Sequence, residues 1–379
     1  MKIAIITPEI FYVKGRRGGF AWISKTIGAE LAKRGFDVFV ITPRDPGFPE
    51  VLLLDNMKII TYSYSFGKRI KSIRDHIYNY ISFARTLKEI GSKIDVFLSV
   101  EASVETLIAE FMFPNAKHVI WAQNPINWAD YRLFGSINPA YRIPKSRFFI
   151  GKILFGHAYR NADLIFVQAK YFVDKLKRLY HVDVRKVIYL PNPIDYIPPE
   201  SIIKKNEQPT ICYLGRMDPE KRYWLFFELA RKFPDIQFIA IGEPSKIFRS
   251  LYEIIVRKYI DLPNLKLAGF LDGFDKWNTL DKCWILMLPS INEGLPIAML
   301  EALAHKCALL SSVNPDGLTK KFGYLTRKDN FDKGLLWLLE NDRWKIFGEN
   351  GYKYVNQNHS LERIFKRLCS FLEKIHEAR

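Results

Sequence analysis

The chain has 379 residues, more than one ordinary core organises, so two domains are expected. Hydrophobic residues make up 48% and charged residues 26%, a globular balance that excludes wholesale disorder, and no heptad or Gly-X-Y period supports a fibrous fold. The 57 Lys+Arg against 40 Asp+Glu give a formal net charge of +17. No stretch of about 18 apolar residues lacks charge, so no spanning helix is expected. Cys212, Cys283, Cys307 and Cys369 lie far apart without a CxxC, which is neither a zinc pattern nor a disulfide framework. Met1 runs directly into a strand-like IAIIT, too short for the apolar core of a signal peptide, so a cytoplasmic protein is expected.

Residues 2–7 are short, β-rich and end at Pro8, as a buried parallel strand does. Gly18 and Gly19 follow, then a helix over 21–34 with Ile23, Ile27 and Leu31 on one face, and a strand over 37–42. This βαβ unit has a glycine loop after its first strand. Further strands are predicted at 58–62, 95–100, 118–122, 164–168 and 187–190, with helices between, notably 72–90 and 170–180. Residues 191–209 hold five prolines and read as a linker.

After the linker the alternation restarts. Strands are predicted at 210–214, 237–241, 265–268, 284–288 and 307–311. Helices are predicted at 223–232, 247–259 and 296–305, and the tail from Asp329 is mostly helical. The division expected is 1–190, a linker 191–209, a second domain 210–350 and a helical tail 351–379 that returns to the first domain. Both domains read as Rossmann-like, doubly wound α/β sheets. Ligands of such sheets sit beyond the carboxyl ends of the strands.

The charge is uneven. Residues 1–190 hold 29 Lys+Arg and 16 Asp+Glu, and the remainder holds 28 and 24. Residues 56–74 carry Lys58, Lys68, Arg69, Lys71 and Arg74 with no acid, and 131–162 carry Arg132, Arg142, Lys145, Arg147, Lys152 and Arg160 with none. Apolar residues interleave with them, as in RFFIGKILFGHAYR. This suits an anionic membrane or phosphorylated lipid. A nucleic acid and a merely solvated basic face are the alternatives, and nucleic acid is the least favoured.

Three segments carry chemistry. In PSINEGLPIAMLEA (289–302) a buried strand leads through Glu293 and Gly294 to a helix with Pro296 in its first turn and Glu301 further in. Free N–H groups at a helix start suit an anion, and the glutamates accept hydroxyl hydrogens. In LGRMDPEK (214–221) a strand runs into Gly215, and Arg216 and Lys221 offer two cations for a diphosphate. Gly18-Gly19 follows Lys14, Arg16 and Arg17 and would admit a phosphate.

These pieces, in this order, resemble a GT-B glycosyltransferase of family 4, the retaining group that uses nucleotide-sugar donors. The resemblance spans nearly the whole chain and includes PNPID (191–195). It implies two Rossmann-like domains facing across a cleft, with Arg216 and Lys221 on the donor diphosphate as catalytic cations and Glu293 on the donor sugar. Glu301 would hold the ribose hydroxyls, the amides of Gly294 and Leu295 the sugar or phosphate, and Gly215, Gly18 and Gly19 would line the phosphates. The turn Gly269, Phe270, Leu271 would sit near the base. No cofactor is implied beyond a donor substrate, a UDP- or GDP-sugar. No D-x-D occurs, so no metal–diphosphate bridge is expected.

One departure is plain. Many relatives carry a His at the end of a central strand of the first domain, where this chain has Val100 or Gln123. Glu101, Gln123, Asn124 and Asp130 are the acceptor-side candidates. A front-face route, with the donor phosphate taking the proton, needs no side-chain base. The leading expectation is a hexosyltransferase acting on a glycan or lipid-linked hydroxyl, with peripheral association at the inner face of the membrane. A nucleotide-sugar epimerase and a catalytically silent binder of nucleotide sugar or nucleic acid are the alternatives.

Overall fold

The computed structural model describes residues 1–9, 18–45, 47–65, 73–90 and 94–377. The chain divides into two units: Met1–Asn127 with Ile143–Pro191 and Ile364–Arg379, and Trp128–Arg142 with Asn192–Arg363.

Among the described residues the first unit is built on eight strands. They are β1 (Lys2–Ile6), β2 (Asp37–Pro43), β3 (Val51–Leu54), β4 (Met57–Tyr62), β5 (Val96–Val100), β6 (Lys117–Ala122), β7 (Leu164–Val167) and β8 (Val187–Tyr189), in the order β3-β4-β2-β1-β5-β6-β7-β8. All pairings are parallel except β3 with β4. The central strands are apolar end to end because helices cover both faces: every residue of β5 is buried. Strand β3 escaped the sequence reading. It is a half-exposed edge, and its turn is Asp55-Asn56, both at positive φ, the geometry of a two-residue hairpin.

Helices α1 (Gly19–Lys33), α2 (Ile73–Ile90), α3 (Val104–Met112), α5 (Lys145–Asn161) and α6 (Phe172–Tyr180) belong to this unit, while α4 (Trp128–Ile137) belongs to the second. Helix α1 buries Ile23, Ile27 and Leu31, the stripe read from the sequence.

The second unit holds β9 (Thr210–Leu214), β10 (Gln237–Ile241), β11 (Leu265–Gly269), β12 (Ile285–Leu288), β13 (Ala308–Ser311) and β14 (Gly323–Leu325), all parallel, in the order β11-β10-β9-β12-β13-β14. Its helices are α7 (Trp224–Lys232), α8 (Arg249–Val256), α9 (Gly273–Lys282), α10 (Ile297–Ala304), the short α11 (Leu318–Lys321), α12 (Phe331–Leu339) and α13 (Arg343–Asn358); α14 (Leu361–Glu377) ends the chain.

The division differs from the expected one at three places. Helix α4 is grouped with the second unit, although it was assigned to the first domain. The linker from Asn192 also joins the second unit. Lys205 explains part of this: its ammonium donates to the carbonyls of Leu280, Cys283 and His305, at the C-terminal ends of α9 and α10. Helix C-termini carry partial negative charge, so a cation there fastens the linker. Third, residues 351–363, expected in the returning tail, stay with the second unit, where the Tyr352 hydroxyl of α13 donates to the Pro198 carbonyl at 2.9 Å and Trp344 stacks on Trp284 at 4.3 Å between ring centroids. Only the chain from Ile364 joins the first unit. There α14 buries Ile364, Phe365, Leu368 and Leu372, and Arg367 donates to the Tyr189 carbonyl at 2.8 Å.

Each strand order reverses once, between β1 and β5 and between β9 and β12. These switch points are where doubly wound sheets open a crevice for ligands.

Candidate active site

The two sharpest motifs leave the two strands that flank the second switch point. Arg216 and Lys221 follow β9, and Glu293 and Gly294 follow β12. Parallel strands deliver both loops to the same edge of the sheet. The sequence separates Lys221 from Glu293 by 72 positions; the fold sets Lys221 Nζ 2.5 Å from Glu293 Oε1. Both side chains are largely buried, at 19% and 10% exposed.

The neighbours of Lys221 explain its placement. Arg222 is held at φ 49°, in the left-handed region. Its guanidinium donates to the Pro289 carbonyl at 2.7 Å, to Ser312 Oγ at 3.1 Å and to Asp329 Oδ2 at 2.6 Å. It therefore bolts the β9 loop to the start of the β12 loop. Ile291 N donates to the Glu220 carbonyl at 3.0 Å and closes the same seam. Ser290 Oγ and Asn292 Nδ2, either side of this contact, are buried without a hydrogen-bond partner among the described residues.

Arg216 is half exposed. It lies 3.2 Å from Asp218 Oδ2 and 3.4 Å from Glu220 Oε1. Glu220 also accepts from the Tyr141 hydroxyl, and burial together with the Glu220 charge pushes that phenol far up. Asp218 accepts from Ser245 N at 2.8 Å. Gly215 follows β9, Gly242 follows β10 and Gly269 ends β11, so three adjacent strands finish in glycine. Gly242 has φ 139°, and a Cβ there would lie 1.9 Å from the Gly215 carbonyl oxygen, so no other residue fits. Phe270 and Leu271 are partly exposed just beyond.

Glu301 lies on α10 and is buried. Its Oε1 accepts from Lys276 Nζ of α9 at 2.6 Å, with both side chains 7% exposed. Burial pushes the Glu301 carboxyl up; Lys276 draws it back, and the charges of Asp195 and Asp272 push it up again. Burial works against the Lys276 charge, but Glu301, Asp195 and Asp272 outweigh it and hold the ammonium above its ordinary value. Three carboxylates thus share one cation. Leu295 is 3% exposed and Gly294 is buried.

The sequence reading missed Lys276, Asp195, Asp272, Arg222 and Gly242. Asp195 had a signal, since PNPID was already singled out. Gly242 had one too, as a glycine directly after a strand. Lys276 had none: a lysine on a helix reads as solvated.

In the first unit Gly18 caps α1, and a Cβ there would lie 2.6 Å from Glu9 Oε1, so a carboxylate neighbours the glycine loop. Gly19 is exposed. Lys14, Arg16 and Arg17 lie outside the described residues, as do Lys68, Arg69 and Lys71.

Glu101 stands at the end of β5 with φ 72°. Its Oε2 accepts from the backbone N–H of Gln123 at 3.0 Å and Asn124 at 2.7 Å, and its Oε1 from the Tyr159 hydroxyl. This carboxylate ties the ends of β5 and β6 to α5. Gln123 is buried, and its carbonyl accepts from Gln168. Asn124 Oδ1 is buried without a partner among the described residues. Asp130 is not grouped with them: it lies on α4, in the second unit. Among the described residues no cluster of three or more His, Cys, Asp or Glu is placed to hold a metal.

Two parallel α/β sheets, each with a loop-lined switch point, define the GT-B architecture. Solved structures agree over full length. Sucrose-phosphate synthase from Thermosynechococcus elongatus superposes with TM-score 0.80 at 16% identity, covering 100% of both chains. HepE of Anabaena, solved in complex with UDP-glucose, gives 0.73 at 13% identity, covering 99% of this chain and 100% of that one. WaaG, a glycosyltransferase involved in lipopolysaccharide biosynthesis, gives 0.67 at 15%, covering 96% and 98%.

The family follows from two sequence models. Residues 17–196 match Glycosyltransferase Family 4, and residues 199–353 match Glycosyl transferases group 1. The chain belongs to the group 1/family 4 glycosyltransferases and is an enzyme of that class. An uncharacterized glycosyltransferase of Haemophilus influenzae is 22% identical over 93% of this chain and 95% of its own length. A processive diacylglycerol alpha-glucosyltransferase of Acholeplasma laidlawii is 29% identical over 57% and 69%. The N-acetylgalactosamine-N,N'-diacetylbacillosaminyl-diphospho-undecaprenol 4-alpha-N-acetylgalactosaminyltransferase of Campylobacter jejuni is 26% identical over 54% and 58%.

Proposed function

We propose that the protein is a retaining hexosyltransferase. It takes the sugar from a UDP- or GDP-sugar and passes it to a hydroxyl of a glycan or lipid-linked acceptor. The observation that carries this reading is the Lys221–Glu293 pair at the β9/β12 switch point.

That pair has a chemical consequence. A diphosphate arriving at the β9 loop competes with Glu293 for the Lys221 ammonium. Once Lys221 turns to phosphate, the Glu293 carboxylate is released to accept hydrogens from the donor sugar hydroxyls. Arg216, half exposed, reaches the same diphosphate. The difficult step is departure of the nucleoside diphosphate from the anomeric carbon, and cations fixed at the developing charge lower its barrier. Glu301, with Asp195 and Asp272 beside it, makes an acceptor-rich corner suited to ribose hydroxyls, and Lys276 fixes its orientation. Glu101 is spent on backbone N–H groups and Tyr159, so the acceptor's proton goes to the departing phosphate. The donor needs no cofactor beside it.

Retention rests on the family 4 resemblance and on the alpha linkages in the names of the Campylobacter and Acholeplasma relatives. HepE, bound to UDP-glucose, favours UDP as the nucleotide. The same two relatives, named for diphospho-undecaprenol and diacylglycerol acceptors, favour a lipid-linked acceptor.

The test is to incubate the protein with UDP- and GDP-sugars and lipid-linked acceptors, then read the anomeric configuration of the product by NMR. An α-linked product from an α-linked donor is expected. A β-linked product would refute retention. A new sugar nucleotide formed without acceptor would make the protein an epimerase.

A further inference from the structure

One short segment from the first half of the chain belongs with the second unit. Trp128–Arg142 groups there, although Asn127 before it and Ile143 after it group with the first unit. It holds α4 and a single helical turn, Pro139–Tyr141. Its own hydrogen bonds shape it. The Asn138 side chain caps the turn by accepting from Ala140 N at 2.8 Å, and Pro139 opens the turn where no N–H is needed. Arg142 Nε donates back to the Gly135 carbonyl at 3.2 Å. The turn ends on Tyr141.

Tyr141 reaches the loop after β9. Its ring packs on Phe248 at 5.3 Å and on Phe134 at 6.0 Å between centroids, and its hydroxyl donates to Glu220 Oε2. Burial first, and then the Glu220 charge, hold the phenol far above its ordinary value, so the hydroxyl keeps its proton and acts as a donor. Glu220 links the parts of this loop. Its Oε1 lies 3.4 Å from Arg216, its main-chain carbonyl accepts from Ile291 N at 3.0 Å, and Lys221 is the next residue. The Glu220 side chain is only 13% exposed.

This arrangement sets up a competition. A diphosphate that takes Arg216 must draw it away from Glu220. A largely buried carboxylate that loses its cation and keeps no other partner is costly, so it holds the cation back. With the Tyr141 hydroxyl on Oε2, the carboxylate retains a charge-assisted hydrogen bond after Arg216 turns. Without that hydroxyl, Glu220 keeps Arg216 and the diphosphate binds less well.

We propose that Tyr141 is a positioning residue of the donor site, whose hydroxyl holds Glu220 so that Arg216 can turn onto the donor diphosphate. Tyr141 acts through Glu220 and touches neither the donor nor the reacting atoms. The inference rests on the diphosphate reading of the β9 loop, and its test separates the two.

The test is calorimetric titration with UDP and GDP of the wild type, Tyr141→Phe, Glu220→Gln and the double variant. Phenylalanine keeps both ring contacts, so Tyr141→Phe should stay folded, which circular dichroism checks. It should bind the nucleotide about tenfold more weakly, the scale of one hydrogen bond to a charged group. Glu220→Gln should bind at least as tightly as the wild type, because a neutral amide holds Arg216 weakly. In that background Tyr141→Phe should cause no further loss. In transfer assays Tyr141→Phe should raise KM for the donor with kcat nearly kept, since the cost arises when Arg216 turns on binding and is the same in the transition state. Wild-type affinity in Tyr141→Phe would overturn the inference, as would weaker binding by Glu220→Gln alone. So would an equal loss from Tyr141→Phe in the Glu220→Gln background, which would make the tyrosine a packing residue. A wild type that binds neither nucleotide would remove the donor-site reading and this inference with it. Binding that Glu301→Ala abolishes and Tyr141→Phe leaves unchanged would remove the inference alone.

Discussion

Replacing Lys276 with Met tests the buried end of the site. Methionine keeps much of the lysine stem's volume and removes the charge. Glu301 is then left buried, its partner 2.6 Å away lost and Asp195 and Asp272 still near. A carboxylate stranded in this way costs about 3–5 kcal/mol. The carboxyl escapes part of that cost by taking a proton. Holding it protonated near pH 7 costs roughly 4 kcal/mol, because its unfolded pKa is about 4.3 and each unit is about 1.4 kcal/mol. Near pH 5 the same cost falls to about 1 kcal/mol.

The sign follows from linkage. In the variant the folded carboxyl titrates above its unfolded value, so stability is kept at low pH and lost as the pH rises through the carboxylate range. Lys276→Met should therefore be nearly as stable as the wild type near pH 5 and about 3 kcal/mol less stable near pH 7. For a unit of this size that corresponds to roughly 6–12 °C in melting temperature. The assay is thermal unfolding at the two pH values. The double variant Lys276→Met with Glu301→Leu should regain most of the loss, since an apolar pair can replace a buried ion pair. Equal stability of the single variant at both pH values would refute a charged, buried pair.

Lys221→Ala should lower kcat by about 100- to 1,000-fold, the size seen when one preorganised donor is removed from a developing anion; a rise in KM alone, measured with saturating acceptor, would remove Lys221 from the leaving step. Glu101→Gln should destabilise the first unit by about 2 kcal/mol through its lost charged hydrogen bonds, with kcat nearly kept in the folded fraction; a selective collapse of kcat without unfolding would restore Glu101 as an acceptor-side base. His359 is pushed down to about 4 by burial, against its hydrogen bond to the Asn192 carbonyl. The folded protein keeps it neutral while the unfolded chain takes the proton, so about 3 kcal/mol of stability present above pH 6.5 should be lost as the pH falls towards 4. Acid titration of urea unfolding should show a shallower slope for His359→Gln, and identical slopes would contradict this.

Much of the architecture was legible because parallel strands buried on both faces leave long apolar runs, as in KIAII and VFLSV. The half-exposed β3 was not, because its face pattern is weak and its signal lies in the turn. The boundaries of the units were only partly legible. The Pro-rich stretch looked like a free linker, and nothing local reveals that Lys205 reaches two helix ends 75 to 100 positions ahead. The second half of α13, from Gly351, looked like part of the returning tail because its tie, the Tyr352 hydroxyl on the Pro198 carbonyl, is a long-range contact.

The site divides in the same way. Motif residues, Arg216, Lys221 and Glu293 on loops and Glu301 on α10, stood out in the sequence because strand, glycine and helix start set their context. Their partners were not. A helix surface residue such as Lys276 becomes a buried cation only when α9 meets α10. Glu101 drew notice as one of four polar candidates near a strand end, but its hydrogen bonds to the next strand's N–H groups, reached from a left-handed backbone, have no local signal.

The central claim is that the loops after β9 and β12, with Glu301 behind them, bind a nucleotide sugar. Calorimetric titration with UDP, GDP and ADP, on the wild type and on Glu301→Ala, tests it most directly. The account predicts micromolar binding of UDP or GDP to the wild type and its loss in the variant. Binding of no nucleotide, or binding of equal strength in Glu301→Ala, would contradict it.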